Sequence, residues 1–268
     1  MITVFCLAGL KPRMDSRHLG GELFRNPFVR RDVIYPNSLP TQSNFNTGRA
    51  RMKTAATTSK GQVVLFGQSF GSRIIASLLN DAEMLEKCPP SRCVVVLAGY
   101  PDRKYGGAST VQYSGIIAGY DQPAGVPDDC QYRVYDVARQ YGAAEDYPQL
   151  RSVRAAVQNA SLKVHEDYST VRIGDPSNTV WVDPDNPNVT YILSATYPLP
   201  AIEKNGWLSP KAKAIADAQQ RPGVEKGYTR AFPAPKTTIN RIGTSDSGWN
   251  DQGKVVKMPT PAPFRPFG

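Results

Sequence analysis

The feature that most constrains this 268-residue chain is residues 63–79, VVLFGQSFGSRIIASLL. Four consecutive apolar residues at 63–66 read as a strand buried on both faces. Beyond the glycines the sequence stays apolar through Leu79 and reads as a helix. Strand and helix thus meet across GQSFG, a G-x-S-x-G match centred on Ser69. Placed between an apolar strand and an apolar helix, this pattern predicts a nucleophile elbow. The turn forces the serine into a strained backbone conformation, and its small neighbours let strand and helix close together. The Phe70 backbone N–H then stands at a helix N-terminus, where it can donate to an oxyanion. A second donor is expected from the loop after the first strand, at Ala8 or Gly9.

A serine hydroxyl needs a base at neutral pH, and the chain holds two histidines, His18 and His165. His165 lies after Ser69, in the order nucleophile, acid, histidine of elbow hydrolases, whereas His18 precedes it. The expected base is His165. The acid should follow a late strand and precede the histidine. Residues 133–141 read as that strand, followed by GAAEDYP at 142–148. Asp146 is the favoured acid, with Glu145 second and Asp136 third. The competing role for Asp146 is a helix cap just before Pro148.

The remaining segments give the fold class. Residues 4–7, 33–35 and 93–98 read as strands, and residues 49–58 as a helix. A helix is expected from Pro148 to Ala160 and another from Ser209 to Gln219. Residues 179–182 and 189–193 form a hairpin-like pair around DPDNPN. Strands alternating with helices predict an α/β fold with a mostly parallel central sheet flanked by helices. Residues 102–131 are Gly-rich and irregular, with Ile116, Ile117 and Tyr120 placed to line an acyl groove or merely to pack. From Ala231 onward, Pro233, Pro235, Pro259, Pro261, Pro263 and Pro266 break regular structure. The expected organisation is a domain over 1–230 and a basic, flexible arm over 231–268.

Charge bounds the partners. Thirty-two Lys and Arg against 23 Asp and Glu give a formal charge of +9, which favours anionic surfaces. Among residues 11–60 the acids are only Asp15, Glu22 and Asp32. The stretch lacks zinc-finger, P-loop and RNA-recognition signatures, so a nucleic-acid partner is not expected. The apolar start reads as a buried strand rather than a secretory signal, and no run is long enough to span a membrane. Four cysteines do not make a disulfide scaffold, although Cys88 and Cys93 could bridge in an oxidising compartment. Without paired C-x-x-C units, neither a metal nor another cofactor is expected.

Several further segments recur in order: VLAGYPDR at 96–103 with Gly106 and Gly107, VYDVARQY at 134–141 with Asp146 to Pro148, HEDY at 165–168, TYIL at 190–193 with PLP at 198–200, and RPGVEKGY at 221–228. With GQSFG, they make residues 1–230 resemble the PE-PPE serine hydrolase domain of mycobacteria, which is related to cutinases and to mycolyl esterases of mycobacteriophages. The resemblance implies a cutinase-like α/β-hydrolase fold and cleavage of carboxylic esters, of lipid or acyl-ester type, by a Ser-Asp-His triad. Ser69 would be its nucleophile and His165 its base. An aspartate usual in the family falls on Gly142 here, and the second aspartate of that loop falls on Asp146, so the acid role passes to Asp146. Neither the family's usual PE or PPE domain nor an export signal is expected in these residues. The setting this suggests is a phage virion, as a tail component acting on the host envelope, with the arm held by a protein partner. The alternative is a structural tail protein that uses the hydrolase fold for assembly or envelope binding without turnover.

Overall fold

The computed structural model describes residues 1–111, 125–234, 239–241, 247–250, 252 and 254–267. Strand β1 (Ile2–Leu7) is followed by β2 (Phe28–Asp32), helix α1 (Gln42–Thr58), β3 (Val63–Gln68), α2 (Phe70–Ala76) and α3 (Ala82–Lys87). Next come β4 (Cys93–Ala98), a short α4 (Ala108–Val111), β5 (Arg133–Arg139), α5 (Arg154–Asn159) and α6 (Leu162–Glu166). The order closes with β6 (Thr179–Val182), β7 (Val189–Ser194), α7 (Pro200–Glu203), α8 (Pro210–Glu225) and a small sheet of β8 (Ile239–Arg241), β9 (Ser247–Asn250) and β10 (Val255–Lys257).

The large sheet has the order β2-β1-β3-β4-β5-β7-β6 and is parallel except where β6 meets β7. This is the expected α/β fold. The chain runs from β1 outward to β2, then returns to β3 on the other side of β1, which makes the β1–β3 junction a topological switch point. In such sheets the crevice beyond the strand C-termini at the switch point is where ligands bind. The loops after β1, β3, β4 and β5 all leave from that edge.

The sheet is covered differently on its two faces. Val63, Leu65, Val95 and Leu97 point to one face, where Phe45, Met52, Ile74, Ile75 and Met84 from α1, α2 and α3 pack on them. Thr41 caps α1 by accepting from the Asn44 N–H at 3.2 Å. Val64, Phe66, Val96 and Val137 point to the other face. That face is covered by Leu19 and Leu23 of a short 3-10 segment, by Tyr168, Val171 and Ile173, and by Phe264 and Phe267.

Three expectations are corrected. The strand expected at 33–35 lies at Phe28–Asp32, where five residues pair with β1. The helix expected from Pro148 begins only at Arg154, because residues 147–150 bond elsewhere. There the Tyr147 N–H donates to Gly106 O at 2.9 Å and the Leu150 N–H to Gly227 O at 2.9 Å. The Pro-rich arm, read as irregular and flexible, contains a three-stranded sheet, and its described far segment docks on the body. Ala262 bridges Gly174, Arg133 donates to Pro266 O at 3.0 Å, and the Phe264 ring stands edge-on to Tyr135 at 5.0 Å. The prolines leave fewer backbone N–H groups needing partners, so a few backbone bonds together with the aromatic side chains suffice to dock this segment. All four cysteines, including Cys88 and Cys93, are buried free thiols.

Replacing Phe264 by Ala is expected to destabilise the protein by about 1–2 kcal/mol, read as a lower urea midpoint with an unchanged m-value. An arm that contributed nothing to the body would leave the midpoint where it was.

Candidate active site

The site is built from the elbow outward. β3 ends at Gln68 and α2 begins at Phe70, so Ser69 alone makes the bend, with φ 54° and ψ −119°. A non-glycine residue there carries strain of about 1–3 kcal/mol. The Ser69 N–H donates to Ala98 O of β4 at 2.8 Å, and the Ser72 hydroxyl donates to the same carbonyl at 3.0 Å. A Cβ on Gly67 would stand 2.7 Å from Ser72 Cα, and one on Gly71 would overlap Leu7 O. Both glycines of the motif are therefore required by close packing rather than by their φ angles.

Gly9 lies alongside the elbow, since a Cβ there would be 2.9 Å from Ser69 Cβ and 2.8 Å from Gln68 Oε1. Its loop is fixed from below. The Tyr35 hydroxyl donates to Ala8 O at 2.7 Å, and Asn37 Nδ2 donates to Gly9 O at 2.7 Å and also to Lys11 O. Tyr35 stacks on Phe70 at 6.3 Å. Ala8, Gly9 and Phe70, the residues expected to hold an oxyanion, are thus packed around Ser69.

His165 sits on α6, whose start is capped by the Ser161 side chain. Its Nε2 is 2.8 Å from Ser69 Oγ. Its Nδ1 is 2.6 Å from Glu145 Oε2. An ionised carboxylate only accepts, so Nδ1 carries the proton and Nε2 is the acceptor for the serine hydroxyl. The other carboxylate oxygen, Oε1, accepts from the Tyr168 hydroxyl at 2.8 Å. Glu145 and Tyr168 are fully buried and His165 nearly so, whereas Ser69 is partly exposed. Gly99, at φ 60°, faces the imidazole; a Cβ there would stand 3.1 Å from His165 Nδ1.

Burial pushes the Glu145 carboxyl up, but the positive His165 ring and the bonds from His165 and Tyr168 outweigh it and hold the group below its ordinary value. Burial likewise disfavours the imidazolium, and the Glu145 charge outweighs that, raising His165 above its ordinary value. Both directions describe a carboxylate that stabilises a protonated imidazole.

The favoured acid of the sequence reading is not the one that meets the histidine. Asp146 turns away: its Oδ2 accepts from the Tyr141 N–H at 2.8 Å and pairs with Arg230 at 2.7 Å. Asp146 neighbours Glu145 in an irregular loop, so their side chains leave in different directions, and only Glu145 points at α6. Asp136 is inside the sheet, paired with Arg103 at 3.3 Å; burial pushes its carboxyl up to about 6 despite that arginine. His18 is buried beside the Tyr168 ring at 6.0 Å, and burial lowers it to about 4. Ile116, Ile117 and Tyr120 lie outside the described residues. Tyr35 and Asn37 complete the site without any signal in the sequence that marks them, whereas Gly99 and Tyr168 fall within the VLAGYPDR and HEDY segments without being singled out there. Among the described residues, no group of His, Cys, Asp and Glu is arranged to hold a metal ion, and no helix is long and apolar enough to cross a membrane.

The family model for the PE-PPE domain matches residues 33–229. No curated protein matches the chain. A solved structure labelled as a candidate thioesterase from Silicibacter sp. tm1040 aligns at 16% identity with a TM-score of 0.33, covering 54% of this chain and 58% of that one.

Two substitutions separate the neighbouring acids. Glu145→Gln should cut turnover by about 10³–10⁴ and move the acid limb of kcat/KM to lower pH, because burial then acts on His165 without the Glu145 charge against it. Asp146→Ala should instead cost stability, about 3–5 kcal/mol for a broken buried ion pair, seen in denaturant melts, with far less effect on turnover per folded molecule.

Proposed function

The chain belongs to the PE-PPE domain family, and from that premise we propose that it is a serine hydrolase of carboxylic esters working through Ser69, His165 and Glu145. The observation that carries this reading is the unbroken hydrogen-bond path from Ser69 Oγ through both nitrogens of His165 to the buried Glu145 carboxylate. It begins at a partly exposed hydroxyl on a strained turn at the sheet's switch point.

The chemistry follows from that geometry. Ser69 Oγ attacks the ester carbonyl while His165 Nε2 takes its proton. Glu145 keeps the second proton on Nδ1 and stabilises the imidazolium that forms. The Phe70 N–H, opening α2, and an N–H of the Ala8–Gly9 loop receive the negative oxygen, each such donor being worth about 10²–10³ in rate. The imidazolium then protonates the departing alcohol, leaving an acyl group on Ser69. Water, deprotonated by His165, attacks that acyl group. The carboxylic acid is released and Ser69 recovers its hydrogen.

For the substrate class we put forward acyl esters of lipids, which suits the family. A non-catalytic envelope-binding module remains the competing function. The two differ in one measurement: hydrolysis of p-nitrophenyl esters of graded acyl length. Native protein should turn these over, and Ser69→Ala should lose at least about 10³ of that rate. Equal rates in both proteins would end the esterase reading.

A further inference from the structure

As the orienting acid, Glu145 places its carboxylate at the end of a longer, more rotatable side chain than that of aspartate. It also projects from a loop rather than from a strand or helix. The backbone of that loop is well tied: Asp146 N–H donates to Gly142 O at 3.0 Å, Ala108 N–H to Ala144 O at 2.7 Å, and Tyr147 N–H to Gly106 O at 2.9 Å. Those bonds fix where the side chain starts and leave open where its carboxylate ends.

We infer that Tyr168 and Gly142 are positioning residues that aim the Glu145 carboxylate at His165, an inference that rests on the triad reading above. The Tyr168 hydroxyl holds Oε1 at 2.8 Å, so that Oε2 is the oxygen presented to the imidazole. Tyr168 is itself immobilised: its ring is fully buried, and its carbonyl accepts from the Leu19 N–H at 2.9 Å. Burial and the Glu145 charge raise its phenol well above the ordinary range, which keeps it a proton donor. The same segment thus delivers the base and, three residues later, the group that turns the acid toward it.

Gly142 closes the other side by having no side chain. A Cβ at this position would fall on the Glu145 carboxyl group, overlapping both its carbon and its Oε1. Its φ is not in the left-handed region, so the backbone does not demand glycine here. The space is what is required, and the carboxylate fills it. Any side chain at 142 displaces the acid from its seat.

A double-mutant cycle tests this. Tyr168→Phe should lower kcat about tenfold with KM little changed, the loss expected of one charge-assisted hydrogen bond. Gly142→Ala should approach the loss caused by Glu145→Ala. Neither substitution should subtract further in the Glu145→Ala background, because both act through that carboxylate. Tyr168→Phe should also move the acid limb of kcat/KM to lower pH, in the same direction as Glu145→Gln and by less, because a carboxylate no longer aimed at His165 stabilises the imidazolium less. Losses that recur in full in the Glu145→Ala background, or an acid limb that moves up or stays in Tyr168→Phe, would overturn the inference. If Glu145→Ala itself leaves turnover intact, the triad reading fails instead. Thermal melts of each variant identify any loss due to unfolding, and the Tyr168→Phe arm decides the matter if Gly142→Ala does not fold.

Discussion

The constraint on which the rest depends is the backbone of one residue. Ser69 holds a conformation that costs free energy wherever it occurs, and the surrounding sheet maintains it. The Ser69 N–H and Ser72 hydroxyl share a single carbonyl of β4, so the bend is tied to a neighbouring strand rather than only to its own chain. Gly67 and Gly71 let α2 settle against β3 and the end of β1 with no room to spare. The outcome is an alcohol whose position is set by strand register. The approach of the histidine can then be set independently, from the other half of the chain.

That other half sorts three carboxylates within a short stretch into three roles by the partners it gives them. Asp136 is enclosed with Arg103, a buried pair whose attraction is offset by the cost of removing both charges from water. Asp146 belongs to a network in which Arg230 also meets Glu225, Glu225 accepts from Tyr141, and Arg221 bonds Tyr141 and Asp217. This network pins the loop after β5 to α8. The Glu145 carboxylate is bonded instead by a phenol and an imidazole. A guanidinium bonded to Glu145 would weaken its hold on the imidazolium, and the arrangement keeps Arg230 on the neighbouring residue.

Much of this could be read from the letters. The apolar runs of β3 and β4 and the glycines of the elbow carry their periodicity and sterics openly. With only two histidines in the chain, the order of nucleophile and base left little choice. The identity of the acid was not legible to the same degree. Glu145 and Asp146 are adjacent in a loop without regular period, and which one faces α6 depends on contacts with residues far along the chain, Arg230 among them. Helix propensity after Pro148 failed for a related reason. The backbone groups of residues 147–150 are claimed by Gly106 and Gly227, and such long-range claims leave no local trace. The prolines after residue 258 were read as a sign of looseness, yet Phe264 between them carries the packing.

The second face of the sheet has a consequence for how the protein is made. In most parallel sheets each face receives its helices from the crossovers between strands, so the core closes as the strands emerge. Here part of the cover over Val64, Phe66 and Val96 arrives with Phe264 and Phe267, long after the strands beneath them. On a ribosome, the sheet would therefore complete its pairing with a greasy flank still open to the cytosol. Leu19, Leu23 and Tyr168 cover the rest of that flank earlier, so what waits for the last residues is the patch under those two phenyl rings.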